Sequence, residues 1–135
     1  MASSSERIVV PDIDPIERAI QKSHVILELR DDWDGEGSPG YARGTLNRAN
    51  DFLRRHAIWV REHYGIVVQA PDVTPGPDGS IDIHWQTDGR ELLVNVPVDA
   101  GKPATFYGDD RAQNVVKGSI NTAAHNEWLL LWLAS

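Results

Sequence analysis

The stretch "SIDIHWQTDGRELLVNVPV", residues 80–98, decides the fold of this chain. At its centre, Asp88-Gly89 predicts a two-residue type I′ turn, because both central positions of that turn need positive φ. Such a turn fixes which residues of the two strands lie opposite each other. The large apolar pairs then share one face: Ile81 with Val96, Ile83 with Val94 and Trp85 with Leu92. The other face carries Asp82 with Asn95, His84 with Leu93 and Gln86 with Glu91. We expect a hairpin with one buried face.

Two neighbouring segments extend this hairpin into a meander. The segment "KPATFYG", residues 102–108, predicts a further strand with Phe106 inward and Tyr107 outward, because alternate residues of a strand face opposite sides. On the other side, "IVVQAPDVTPGPDG", residues 66–79, predicts a short edge strand, because its prolines cannot donate to a ladder. We therefore expect a small antiparallel sheet of three to four strands.

Two helices are predicted before the sheet. The first starts at "DPIE", where an aspartate can cap and proline suits the first helical position, and it is expected to run to about Leu29 or Asp31. The second is expected to begin near Thr45 and to end at Gly65, because glycine tolerates the positive φ of a helix end.

The chain closes with "SINTAAHNEWLLLWLAS", which predicts a third helix beginning near Ser119, after a break at Gly118. Its two tryptophans and four leucines need a cover, which is either the domain's own core or another chain. The second option predicts a homodimer through this helix. The fold class is thus α+β, with two N-terminal helices, the meander and a C-terminal helix, and with the helices packed on one sheet face.

Composition limits the class of protein. The chain has 135 residues, a length typical of one domain. Residues 11–135 are expected to form that domain, and residues 1–10 are expected to be disordered or extended. The chain has no cysteine, which excludes disulfides and thiolate nucleophiles, and no apolar run of membrane-spanning length. Its net charge of −7 opposes general binding to nucleic acid. These properties predict a cytoplasmic protein.

The acidic loop "LRDDWDGEGSPGYARG", residues 29–44, begins like a calcium loop. Counted from Asp32, its twelfth position is Arg43, where an EF-hand needs a bidentate glutamate, so calcium binding is not expected. An architectural role fits better: the loop glycines allow sharp turns, and Trp33 is expected to insert its ring under the sheet or between the helices.

The motifs "DWDGEGSPG", "ANDFL", "PDVTPGPDGSIDIHW" and "ELLVNVP" follow one another along residues 29–108. In this order the chain resembles a widespread group of small, largely uncharacterised bacterial proteins that have a Trp-Asp-Gly-x-Gly loop, a helix and a Pro-Asp-Gly hairpin. In that group prolines often follow the second glycine of the loop, whereas Ser38-Pro39-Gly40-Tyr41 stands here. The resemblance implies organisation only, and no activity or catalytic residue is carried over from it.

Histidines and arginines supply two alternative functions. His56 and His63 lie seven residues apart on the second helix, and with His84 or nearby carboxylates they could serve a small metal-dependent hydrolase. Nothing in the sequence supplies a third ligand, so no metal or cofactor is expected. The second helix also carries a basic run that could contact nucleic acid: Arg43, Arg48, Arg54, Arg55 and Arg61.

The sequence predicts a non-catalytic protein-binding module rather than an enzyme. Acidic groups of the loop are expected to meet a basic patch of a partner protein, with the outer sheet face or the terminal tryptophans at the apolar centre. By analogy, antitoxin, immunity or anti-defence inhibitors of bacterial or phage origin are the expected settings. The expected partner-binding residues are Asp31, Asp32, Trp33, Asp34, Glu36, His84, Tyr107, Trp128 and Trp132.

Overall fold

A computed structural model describes residues 14–135, and the prediction for residues 1–10 lies outside this range. Its elements, in chain order, are helix α1 (Pro15–Ser23), a 3-10 segment (His24–Glu28), helix α2 (Arg43–Tyr64), strand β1 (Asp72–Pro75), a 3-10 turn (Pro77–Gly79), strands β2 (Ile81–Gln86), β3 (Glu91–Val96), β4 (Ala104–Asp109) and β5 (Val115–Ile120), and helix α3 (Trp128–Ala134). The α+β class is confirmed. No helix in residues 14–135 has the length and apolar character to cross a membrane.

The five strands form one antiparallel sheet in the order β1-β2-β3-β4-β5. The predicted hairpin register is confirmed, because Trp85 pairs with Leu92 and the Thr87 N–H donates to the Arg90 carbonyl oxygen over 2.8 Å. The predicted type I′ turn is wrong, because neither Asp88 nor Gly89 has the positive φ that this turn needs. The sheet has one strand more than the upper end of the predicted range.

One face of the sheet, the inner face, is covered by the helices and forms the core. Its residues on β2 and β3 are wholly buried, as are Leu46 and Leu53 of α2 and Leu129 of α3. Burial of this apolar surface is the main force that holds the helices on the sheet. The inner-face residues of β2 and β3 are Ile81, Ile83, Trp85, Leu92, Val94 and Val96.

The first helix is shorter than predicted and ends at Ser23, before the 3-10 segment. The Ser23 hydroxyl donates to the Ile20 carbonyl oxygen over 2.6 Å, a local bond that competes with continued helix. At the start of the helix, Asp14 caps as predicted by accepting the Ile16 N–H. The Glu17 carboxylate then receives two hydrogen bonds from Arg54 of α2, at 2.5 and 2.9 Å, and joins the two helices.

The predicted third helix is wrong over its first half. Residues 115–120 form β5, and the helix begins only at Trp128 and has 7 residues. Gly118 does not break the chain but pairs with Phe106 of β4, where a Cβ atom would approach the phenyl ring to 3.2 Å. The β-branched residues Val115 and Val116 favour the extended conformation.

Two glycines at the ends of α2 provide a matched test of the helix boundaries. Gly65 follows the helix at φ 68°, as predicted, whereas Gly44 lies within its first turn. We expect Gly65→Ala to lower the free energy of unfolding by about 1 kcal/mol, because the left-handed region is unfavourable for alanine. Gly44→Ala should raise it by about 0.4–1 kcal/mol by reducing the entropy of the unfolded chain. Chemical denaturation of both variants measures the difference, and equal effects would contradict this assignment.

Candidate functional site

The second face of the sheet, the outer face, is not covered by any element in residues 14–135. Its side chains form three rows that cross the strands. The middle row crosses all five strands and runs Asp72, His84, Leu93, Tyr107, Lys117. The rows on either side are Thr74, Asp82, Asn95, Thr105, Ser119 and Gln86, Glu91, Asp109, Val115. With four carboxylates and one lysine, this face is acidic.

The centre of the outer face is apolar and partly exposed. Tyr107 has 45% of its surface exposed, and its neighbour Leu93 is half-buried. Antiparallel sheets often leave one face to solvent, but the residues on that face are then usually polar. An aromatic ring beside a leucine, rimmed by polar groups, is the composition that protein interfaces favour at their centre.

Hydrogen bonds hold the polar residues around this centre. His84 Nε2 lies 2.5 Å from Glu91 Oε2, and this hydrogen bond, more than any other cause, lowers the pKa of the Glu91 carboxyl. In the next row, the Asn95 side-chain amide donates to Asp82 Oδ1 and to Ser80 Oγ, both over 2.8 Å. These side chains are held in place before any ligand arrives, which reduces the entropic cost of binding.

The acidic loop, residues 29–44, contains turns that the carboxylates of residues 31–36 stabilise. Asp31 Oδ1 accepts the Gly40 N–H and Asp32 Oδ1 accepts the Gly37 N–H, over 2.8 and 2.7 Å. Asp34 accepts the Glu36 N–H over 2.9 Å and the hydroxyl of Ser38, and these bonds lower the pKa of Asp34. The carboxylates therefore shape the loop. An architectural role accounts for them.

The expected position of Trp33 is wrong. Its ring does not insert under the sheet or between the helices but remains 41% exposed. The indole N–H donates to the Pro39 carbonyl oxygen over 3.1 Å, and the ring lies 6.2 Å from that of Tyr41. Hydrogen bonds within the loop close it on itself, and the indole packs over the loop instead of entering the core.

Tyr41 connects the acidic loop to the sheet. Its hydroxyl donates to the Gly76 carbonyl oxygen over 2.7 Å, in the turn between β1 and β2. Burial raises the pKa of the Tyr41 phenol, and the charges of Asp34 in the loop and Asp82 on the outer face raise it further. Tyr41 therefore lies within reach of the charges of both the acidic loop and the outer face.

The terminal tryptophans lie on the opposite side of the sheet from His84 and Tyr107. Trp132 packs over Gly108 of β4, and the Arg90 guanidinium lies 4.7 Å from its ring centroid. Trp128 packs edge-on against Phe106, with ring centroids 5.5 Å apart. Most of the apolar surface of α3 enters the chain's own core through Leu129, Leu130 and Leu133. The structure therefore divides the expected binding residues between two faces.

The three histidines of the hydrolase alternative do not converge, although His56 and His125 both approach the Glu127 carboxylate, over 3.2 and 3.4 Å. His56 is buried and its Nδ1–H donates to the Phe52 carbonyl oxygen, while His63 is exposed and stacks on Trp59. Residues 14–135 contain no group of three or more histidine, aspartate or glutamate side chains placed to hold a metal ion. This geometry offers no support for the metal-dependent alternative.

Four of the five arginines of α2 are used to join elements. Arg48 donates to the carbonyl oxygens of Pro97 and Val98, and Arg55 donates to those of Thr122 and Ala123. Arg54 is bound to Glu17, and Arg61 lies 3.2 Å from Asp14. The basic run predicted from the sequence is thus largely a set of structural contacts rather than a free basic patch.

The chain matches no protein-family model, no curated protein and no solved structure.

The sequence did not indicate two members of the middle row of the outer face. Asp72 and Lys117 complete it at the sheet edges, but Lys117 was assigned to no strand because the following residues were interpreted as helix. The alternation of Val115, Lys117 and Ser119 with Val116 and Gly118 was the available signal.

Proposed function

We propose that this chain is a non-catalytic protein-binding module that docks a basic surface of a partner protein on its outer sheet face. The observation that carries the proposal is the uncovered face itself, with Tyr107 and Leu93 at its centre and carboxylates around them. The inner face is covered by all three helices, whereas the outer face is preorganised and open. Such a face suits a flat protein surface.

Charge determines the kind of partner. The outer face and the acidic loop both carry carboxylates, and charges of both act on Tyr41, which points to a partner that presents lysine or arginine. An acidic face of this kind could cover the nucleic-acid-facing surface of a toxin or a defence protein, which is the antitoxin, immunity or anti-defence setting expected from the sequence. The two alternatives, a metal-dependent hydrolase and a nucleic-acid contact, have no observation in their favour.

The test uses the tagged full chain. A protein that co-purifies with it from the native host is identified, produced separately and mixed with purified chain to measure the dissociation constant. We expect Tyr107→Ala to weaken binding by about 30-fold or more, because a central tyrosine is a typical hot spot worth about 2 kcal/mol or more. Tyr64→Ala is the matched control, since Tyr64 is also exposed, at 57%, but lies at the end of α2.

The control should bind within about twofold of the original chain, because an exposed residue outside the interface contributes little. Added salt should reduce the association rate, because the contact is between opposite charges. Equal affinity of the Tyr107→Ala and original chains, with both variants folded by circular dichroism, would contradict the proposed face.

A further inference from the structure

The two edges of the sheet differ in a way that bears on assembly. At one edge, β1 has only 4 residues, ends at Pro75 and lies against α1. At the other, β5 has 6 residues, contains no proline and, within residues 14–135, pairs only with β4. Proteins usually block long edge strands with prolines, bulges, charges or a covering element, because an open edge pairs readily with another strand. β1 is blocked by Pro75 and by α1, whereas β5 carries one charge, Lys117, and no proline or covering element within residues 14–135.

Exposed apolar groups accompany the open edge on the inner side. Trp128 is 47% exposed and packs against Phe106, whose ring lies over Gly118 of β5. Val116, on the same side of β5, is half-buried. A strand added to this edge would therefore gain main-chain hydrogen bonds and also cover apolar surface beside it.

Symmetry restricts how two copies of β5 can pair. A twofold axis normal to the sheet keeps each residue on its own face, so residues opposite each other must both be odd-numbered or both even-numbered. Two registers keep most of the strand paired. One is centred on Lys117 and places two lysines directly opposite each other, which is destabilising. The other is centred on Gly118.

The register centred on Gly118 is self-complementary. Val116 would lie opposite Ile120 of the second copy on the inner side, and Lys117 would lie opposite Ser119 of the second copy on the outer side. Lysine is the only charged residue of β5, and in this register it meets a small polar side chain. We propose that β5 pairs antiparallel with β5 of a second copy of this chain, in the register centred on Gly118.

This pairing would join the two sheets and place two outer faces on the same side of one continuous surface. It does not depend on the proposed partner protein. A partner bound to the outer face would meet two copies of the middle row, which contains Tyr107, related by the twofold axis.

Ser119 provides the test, because it is exposed and its side chain points to the outer face. Sedimentation equilibrium of the full chain over a concentration series should show a monomer–dimer equilibrium. We expect Ser119→Lys to raise the dimer dissociation constant about tenfold, because each dimer then contains two like-charge pairs with Lys117. Ser119→Glu should lower it by a similar factor, because the same two pairs become opposite in charge.

Thr105→Lys is the matched control, because Thr105 lies beside Ser119 in the same row but one strand away from the edge. It should change the dissociation constant by about twofold or less, because exposed charges beyond direct contact are screened by salt. A chain that stays monomeric at every concentration would overturn the proposal. A dimer indifferent to both Ser119 substitutions would also overturn it, because a different surface would hold the copies together.

Discussion

Trp85→Ala is expected to lower the free energy of unfolding by about 3–5 kcal/mol, the range for large aromatic side chains in well-packed cores. Trp85 has no exposed surface and lies on the inner face opposite Leu92. Its indole N–H also donates to the Gln69 carbonyl oxygen over 2.9 Å, which ties the segment before β1 to the sheet. The substitution removes this bond and leaves a cavity under the helices.

Trp33→Ala is the matched control for this prediction. Trp33 is largely outside the core, so its loss should cost about 1 kcal/mol or less. Trp85→Phe separates the two contributions of Trp85, because it keeps most of the apolar ring but removes the donor to Gln69. Urea denaturation followed by circular dichroism measures all three. A Trp85→Ala chain as stable as the Trp33→Ala chain would show that the sheet does not pack as described.

The second large effect concerns His56, which is 1% exposed. Its Nδ1–H donates to Phe52, and its Nε2 accepts the N–H of Asn126 over 3.1 Å and also lies 3.2 Å from Glu127 Oε2. The bond to Asn126 fixes the connection between β5 and α3 to the middle of α2. His56→Leu is expected to lower the free energy of unfolding by about 2–4 kcal/mol, because the Asn126 N–H is then buried without an acceptor.

The same histidine makes stability depend on pH. Burial lowers the pKa of His56, with smaller lowering contributions from Arg55 and His125, while the hydrogen bond to Phe52 and the charge of Glu127 oppose the shift. The unfolded chain therefore takes up a proton on this residue near pH 6.5, and the folded chain does so only at lower pH. Because the unfolded state binds more protons in this window, stability falls as the pH is lowered through it.

Urea denaturation at pH 7.5 and 5.5 checks both predictions. The original chain should be less stable at the lower pH, and the His56→Leu chain should lose part of that difference. His63→Leu is the control on the same helix, because His63 is exposed, and it should change stability by about 0.5 kcal/mol or less. If His56→Leu were equally harmless, the described contact between α2 and the segment before α3 would be wrong.

The hairpin could be predicted residue by residue because two independent signals agree. The two-residue length of the Asp88-Gly89 loop sets a register, although its backbone is not type I′, and the alternation of Trp85, Ile83 and their partners requires the same register. Helix α2 was predictable for a similar reason, since its apolar spacing and Gly65 define one face and one end. Where local chemistry and hydrophobic period coincide, sequence is enough.

The C-terminal third could not be predicted in the same way. Residues 115–120 form a strand with one buried residue, so their apolar pattern is weak, and the strong apolar signal of the seven residues after Glu127 was extended backwards over them. This error also removed Lys117 from the outer face.

The site was only partly predictable, because strand alternation places side chains on faces but does not show what covers them. His84 and Tyr107 were assigned to the outer face from alternation alone, and the structure places them on either side of Leu93. The position of Trp128 and Trp132 on the opposite side depends on where α3 packs. The arginine contacts to carbonyl oxygens of distant loops have no signal in sequence spacing.

The central claim is that the outer sheet face is the surface that docks a partner protein, and NMR cross-saturation on the complex tests it most directly. With the partner irradiated, the account predicts that signal loss in this chain is greatest along Leu93 and Tyr107 and extends to the acidic loop, while exposed residues of α2 such as Tyr64 keep their intensity. Signal loss confined to α2 or to Trp128, with the middle row of the outer face unaffected, would contradict the account.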